Sequence, residues 1–418
     1  MCELGLNRHE FCHGGIALQA SAPAIVLDGN QRSALSTVRS LGRHGIVVSV
    51  GETHRRSLAA SSRYCRAAFA YPDPAQCPEE FCRWLEQIDG AFPGAVLLPM
   101  TDVTVPLVLR STPRLPTLRI ALPSLDLYEA VSDKYRLFQL ARAAGVRVPE
   151  TVPVSRAALD GLEGRDWRYP LVIKPRKSTM RLDSGTRNRS VRYAADRGEL
   201  VRTVESMLID ATDELLIQEY VSGEGAGVFG LYEYGRPRLF FAHRRIREKP
   251  PSGGISVLCE SVRPPAEGLA AARGLLDSLG WHGVAMVEFK IDESGHMWLI
   301  EINARFWGSL QLAVDCGADF PWFLYQIAAG ASPEVPADYS IGNRLRWWLG
   351  DLDNLYARLR DSRWTPTVLD KARAVGEFLM PWQPRTRYEL LRWNDPAPSI
   401  MALRQYLAAL GRKRRATQ

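Results

Sequence analysis

The segment from Gly283 to Phe306, GVAMVEFKIDESGHMWLIEINARF, constrains this chain more than any other. It reads as two apolar strands around the polar turn Asp292-Glu293-Ser294-Gly295. With the turn centred between Ser294 and Gly295, Glu288 faces Glu301 directly across the ladder. Like charges in that position repel and destabilise a sheet. Two carboxylates inside apolar strands therefore want a cation between them, and hard oxygen ligands favour Mg²⁺. Strand alternation places Asn303 and then Arg305 on the face of Glu301. That face would present two carboxylates, an amide and a guanidinium, a surface suited to Mg²⁺ and a polyphosphate. The competing reading is an edge hairpin whose glutamates are solvated. A register slip of one residue would break the pairing.

The rest of the chain sets the context for that hairpin. Its 418 residues exceed one ordinary core and predict two or three domains. A hydrophobic fraction of 46% with 24% charged residues is that of a soluble globular protein. No apolar run approaches the ~18 residues of a membrane helix, so no membrane association is expected. The opening MCELGLNRHEFCHGG lacks the apolar centre of a signal peptide, and residues 1–22 read as a disordered leader. The seven cysteines form no Cys-x-x-Cys pair, which predicts a reducing, cytoplasmic setting without a zinc site or disulfide framework. The formal charge of +7 suits an anionic small molecule. No nucleic-acid-binding module is recognisable, so no nucleic-acid partner is expected. Lysine is scarce beside arginine, which makes Lys134 and Lys174 stand out.

Residues 24–50 read as strand, helix, strand, a βαβ unit. A further strand, Ala95 to Pro99, runs into Met100-Thr101-Asp102. Ligands of open α/β sheets bind at the carboxyl ends of strands, which places Asn30, Arg32 and Asp102 for contact. Capping of the following helices is the alternative for Asp28 and Asp102. The first strand lacks Gly-x-Gly-x-x-Gly, which disfavours a dinucleotide-binding domain. Proline-rich sequence before residue 125 marks a boundary. A mixed α+β region follows to about 335, and the Trp- and Arg-rich remainder, 336–418, reads as mostly helical.

The hairpin, with Glu301-Ile302-Asn303-Ala304-Arg305 at its end, resembles the C-terminal half of the ATP-grasp fold. The resemblance covers residues 24–330 in its order of parts: Lys134, Lys174, Glu219, Glu224, Glu288 and the Glu-x-Asn-x-Arg string. It implies a Rossmann-like pre-ATP-grasp domain at 23–125 and a two-lobed ATP-grasp fold at 126–335, with a C-terminal helical extension at 336–418. It further implies that Glu288, Glu301 and Asn303 hold one or two Mg²⁺ ions, or Mn²⁺ in their place, on ATP. Lys134 and Lys174 would contact phosphates. Glu219, Tyr220 and Val221 would hold adenine, and Glu224 ribose. The polar loop 176–190 stands where the family has a Gly-rich one, but it is rich in arginine.

The basic stretch His243-Arg244-Arg245-Ile246-Arg247-Glu248-Lys249 leads to Gly253 and Gly254. Alternation would put Arg245 and Arg247 on one face, beside a Gly-Gly loop able to cradle a carboxylate or acyl phosphate. By resemblance to carboxylate–amine ligases and carbamoyl-phosphate-synthase-like domains, Arg245 and Arg305 would serve the reacting group, with Arg247, Gly253, Gly254 and Asp102 binding substrate. The expected reaction joins a small-molecule carboxylate to an amine through an acyl phosphate. The alternatives are phosphorylation of bicarbonate or carbamate, or a non-catalytic nucleotide-binding module. A homodimer is expected from the family.

Overall fold

The structure, a computed structural model, describes residues 21–155, 165–177, 179–182, 185–188, 191–208, 214–251, 253–380 and 384–416, with backbone alone at 179–188 and 413–416. The expected leader falls almost wholly outside them, as does part of the loop 176–190.

The first region contains β1 (Ala24–Val26), α1 (Arg32–Arg43), β2 (Val48–Glu52), β3 (Cys65–Ala70), α2 (Pro78–Ala91), β4 (Val96–Leu98) and α3 (Thr104–Ser111). Its strands pair in parallel in the order β3-β2-β1-β4. The order reverses at β1 and β4, so the crevice for a ligand opens beyond their carboxyl ends. Asp28 closes that end of the sheet rather than capping α1. It sits at φ 57° and accepts from the Met100 amide at 2.8 Å and the Thr104 hydroxyl at 2.6 Å. Burial pushes its carboxyl up to about 6, against those hydrogen bonds.

Next come α4 (Leu125–Ser132) and α5 (Lys134–Ala143). Asp133 caps α5 by accepting from the amides of Tyr135 and Arg136, and Gly145, at φ 72°, follows its end. A small antiparallel sheet follows, formed by β5 (Thr151–Ser155), β6 (Leu171–Pro175), β9 (Arg192–Ala194) and β10 (Glu214–Glu219) in the order β5-β10-β6-β9. Within its span lie the hairpin of β7 (Thr179–Leu182) and β8 (Gly185–Asn188) and the helix α6 (Arg197–Met207).

The second, larger sheet has seven strands in the order β15-β14-β11-β12-β13-β16-β17. They are β11 (Glu224–Glu233), β12 (Arg236–Lys249), β13 (Ile255–Val262), β14 (Gly283–Ile291), β15 (Met297–Asn303), β16 (Arg344–Arg346) and β17 (Thr386–Tyr388). The helices α7 (Ala266–Ser278), α8 (Leu310–Asp315), α9 (Phe320–Ala328), α10 (Trp348–Arg360), α11 (Val368–Leu379) and α12 (Ala397–Ala416) complete the chain. One core joins α1 and β1 to Phe229, Phe241, Trp307 and Leu345, and another joins α4 and α5 to α7 and the hairpin strands.

The segment after 335 carries the helices α10, α11 and α12, and it is also built into the body of the fold. β16 and β17 extend the large sheet, and the loop after β17 grips the first region. Arg39, 4% exposed, donates to the Asp395 carboxylate at 2.8 Å and to the carbonyls of Glu389 and Leu390. Arg32 pairs with Glu389 at 2.5 Å. Buried Arg39 thus spends its guanidinium on a carboxylate and backbone carbonyls, as burial demands.

Candidate active site

The carboxylate pair forms, but not by the turn geometry that the sequence suggests. Ile291 pairs with Met297, Lys290 with Trp298 and Phe289 with Leu299, so the hairpin centres on Ser294. Continued without interruption, that register would set Glu288 against Ile300. A bulge between Glu288 and Phe289 leaves Ile300 without a partner and brings Glu301 opposite Glu288. Asn303 then lies against Met286 and turns its amide between the two acids. It donates to Glu288 Oε1 at 3.2 Å and to Glu301 Oε1 at 3.1 Å.

Four cations surround this pair. Arg245 reaches Glu288 at 2.5 Å and Glu248 at 2.9 Å. It also donates to the Gly254 carbonyl at 3.2 Å. Lys134, the first residue of α5, is 3.5 Å from Glu301. Lys174 Nζ, buried at the end of β6, lies 5.0 Å from the centre of the Phe138 ring. Arg305 grips Asp102 at 2.9 and 2.7 Å and donates to Asn303 Oδ1 at 3.1 Å, tying the large sheet to the loop after β4.

The two acids respond in opposite directions. Burial raises the Glu288 carboxyl, against the pull of Arg245. Burial pushes the same way at Glu301, but Lys134, the Asn303 amide, Lys174 and Arg305 outweigh it and hold that carboxyl at about 2. Burial, reinforced by Lys134, brings Lys174 down to about 7.

The donor set fits Mg²⁺. Both carboxylates converge on the single point that the Asn303 amide nitrogen occupies, and rotation of that amide offers its oxygen there. Among the described residues no three His, Cys, Asp or Glu gather as a metal site, here or elsewhere, so the protein's share of a coordination shell here would be two carboxylates and an amide. One or two carboxylates with substrate phosphates and water are what Mg²⁺ ordinarily takes.

A cavity of about 1070 Å³ runs from this pair between the two sheets. Glu219, Tyr220 and Val221 line one end, with Tyr193 of β9 edge-on to Tyr220. Arg245, Gly253, Gly254 and Arg305 line the other, where Asn30, Arg32 and Asp102 enter from the first region. Gly254 is required at its position, since a Cβ there would stand 2.4 Å from the Lys249 carbonyl.

Three expected ligands lie off the wall of this cavity: Lys134, which lines a smaller cavity of about 220 Å³ on the other side of Glu301, Arg247 and Glu224. Arg247 is turned away and pairs with Asp351 of α10 at 2.8 Å. Register shifts on both sides of Arg247 break the alternation that would have aligned it with Arg245. Glu224 is exposed at the start of β11, opposite Ile291, and does not line the cavity. Arg176 is likewise committed, to Asp133 at 2.7 Å and to Glu214.

Sequence reasoning passed over four residues on the wall. Tyr193 sits in a three-residue edge strand too short to read. Glu248 was hidden in a basic run. Trp307 stands two residues past the Glu-x-Asn-x-Arg string. Trp347, under Arg32 at 4.1 Å, comes from the C-terminal extension, where no site motif is legible. The alternation of Val191 and Tyr193, both exposed, was the available signal for the first.

Two sheets around a nucleotide-sized cavity, with a carboxylate hairpin at its floor and Lys174 at its wall, have the architecture of an ATP-grasp fold. Residues 211–348 match the family described as ATP-grasp in the biosynthetic pathway with Ter operon. The L-amino acid ligase of Bacillus licheniformis superposes with a TM-score of 0.57 at 17% identity, over 73% of this chain and 74% of that one. N5-carboxyaminoimidazole synthetase of Staphylococcus aureus gives a TM-score of 0.60 at 12% identity, over 78% and 81%. The chloroplastic biotin carboxylase 1 of Populus trichocarpa is 26% identical over 203 residues, 44% of this chain. The match spans only 36% of the poplar protein's own length. Among the described residues no helix is long and apolar enough to cross a membrane.

Proposed function

We propose that this protein is an ATP-dependent carboxylate–amine ligase that forms an amide or peptide bond through an acyl phosphate. The observation that carries the reading is the opposed Glu288–Glu301 pair, with Asn303 between them, two lysines on one side and two arginines on the other. Glu288, Glu301 and Asn303 would hold Mg²⁺, which supplies charge neutralisation for the polyphosphate. Lys134 and Lys174 receive the phosphates. Tyr220 and Tyr193 wall the adenine slot, and the Glu219–Val221 backbone faces the base edge. Arg245 and Arg305 orient the carboxylate and the phosphoryl group that it accepts.

The substrate carboxylate attacks the γ-phosphorus, ADP leaves, and the amine then displaces phosphate from the acyl carbon. No protein nucleophile is required. The residues align charged partners and neutralise them in a water-poor cleft. A phosphate-release screen of amino acids and other carboxylates with ATP and Mg²⁺ tests the reading. Hydroxylamine should trap the intermediate as a hydroxamate, with ADP as co-product. AMP and pyrophosphate would overturn it. The poplar relative favours one second reading, in which bicarbonate is the carboxylate. Turnover that requires bicarbonate and no amine would establish that instead.

A further inference from the structure

The last helix presents an apolar side that the described residues leave open. α12 is fixed to the fold through its middle. Ala402 is buried in the core that joins α1 to the large sheet. Tyr406 donates to Asp353 of α10 at 2.6 Å, and Gln405 donates to Asn30 at 2.8 Å. The outer side carries Ile400, Leu403, Leu407 and Leu410, which are 40–58% exposed. Their spacing of three, four and three residues lines them up as one stripe along the helix. The turn that leads into α12 exposes Leu391 and, at 96%, Trp393. Apolar side chains gathered in this way cost free energy in water and mark a docking surface.

Charge points to what covers it. From Pro396 onward the sequence holds Arg404 and the run Arg412-Lys413-Arg414-Arg415, with no aspartate or glutamate. A second copy of the helix is a poor cover, because neither copy of α12 supplies an acid for the other's arginines. A protein groove that wraps a helix is also a poor cover, because Ala402, Gln405 and Tyr406 hold one side of α12 against the fold. A flat anionic surface suits both features.

We propose that α12 is an interfacial helix that docks this protein on an anionic phospholipid bilayer. Ile400, Leu403, Leu407 and Leu410 enter the boundary of headgroups and acyl chains, and Arg404 and the basic run meet the headgroups. Trp393 reaches the same boundary, where amphipathic rings concentrate. Such a helix lies along a membrane and needs no spanning run. The inference is independent of the ligase reading.

Flotation of the full chain with large unilamellar vesicles tests it. Vesicles of phosphatidylcholine with phosphatidylserine should carry the protein at low salt, and vesicles of phosphatidylcholine alone should carry it about tenfold less or worse. Leu403→Ser with Leu407→Ser should lower binding about tenfold or more at unchanged charge. Replacing Arg412, Lys413, Arg414 and Arg415 by glutamine should lower it about as much and flatten its dependence on salt. Thermal unfolding of each variant separates lost docking from lost folding. Leu407→Ser alone should show a smaller loss and serves if the double variant does not fold. Equal binding to both kinds of vesicle, or none to either, overturns the proposal. Binding that the serine variants leave intact also overturns it, since attraction of the basic run alone would then account for the docking. A dimer in sedimentation that the serine variants split, without vesicle binding, would assign the stripe to a second copy instead.

Discussion

The lysine side and the arginine side of the carboxylate pair meet the same electrostatic problem with different cations. On the arginine side the contacts are short and forked. Arg245 joins Glu288 at 2.5 Å to Glu248 at 2.9 Å, and Arg305 grips Asp102 through two nitrogens. On the lysine side they are loose. Lys134 stands 3.5 Å from Glu301, and Lys174 is held over an aromatic ring and pulled down to about 7. A guanidinium fork fixes planar acids in one geometry, whereas an ammonium on a flexible stem can re-aim and change its protonation. The arginines therefore set the shape of the site, and the lysines adapt to what enters it.

The sharpest break of that comparison is in the two glutamates. Glu301→Gln should reduce ATP turnover about 10²–10³-fold, the scale of losing one preorganised electrostatic partner. Mutual repulsion of two opposed acids suggests that the substitution would leave stability unharmed. The lysines reverse that expectation. A carboxyl held near 2 against its ordinary 4.5 contributes stability above pH 4.5 and loses it as pH falls toward 2. Glu301→Gln should thus destabilise by roughly 1.5–3 kcal/mol at pH 7, read by denaturant unfolding without metal. Glu288 is shifted the other way, so its charge opposes folding at neutral pH. Glu288→Gln should lose turnover comparably yet keep or gain stability. Equal stability losses in the two variants would dissolve the contrast.

Arg305→Lys keeps the charge and removes the fork. It should lower kcat and kcat/KM together, about 10–100-fold, with ATP affinity nearly unchanged. An equal rise in the ATP dissociation constant would place Arg305 on the adaptive side instead.

Lys174→Met should weaken ATP–Mg²⁺ binding by roughly 1.5–3 kcal/mol in calorimetry. The wild type carries a sharper signature. With Lys174 titrating near 7 in the free protein, it is mostly neutral at pH 8, and a bound polyphosphate raises its pKa again. Binding at pH 8 should therefore take up close to one proton, and at pH 6 almost none. Calorimetry in buffers of differing ionisation enthalpy reads this uptake, which Lys174→Met should abolish. Arg247→Met gives the smallest effect on the site. It should lower stability through Asp351 and leave the KM for ATP unchanged.

The legible parts of this molecule were those written locally. Lys134 and Lys174 were conspicuous against an arginine-rich background. The Glu-x-Asn-x-Arg string fixed the hairpin face. The bulge at Ile300 was not readable, since it depends on how β14 is held by β11 on its other edge. The two bulges around Arg247 misled for the same reason: alternation holds only while the ladder stays regular. β16 and β17 are three residues each, and their strand character comes from a sheet edge supplied by distant sequence. Trp347 and Arg32 reach the cavity through packing between segments more than three hundred residues apart, for which no local pattern exists.

The clasp of Arg39 on Asp395 also sets a timetable. The two residues are 356 positions apart, and α1 buries a guanidinium whose acid has yet to be made. At about 5–20 residues per second, the ribosome leaves that charge waiting roughly 20–70 s. Through that interval the nascent first region carries an arginine that must stay hydrated, so its helix can dock only loosely. Final closure awaits the last strand of the large sheet and the loop behind it, which brings Asp395 to Arg39.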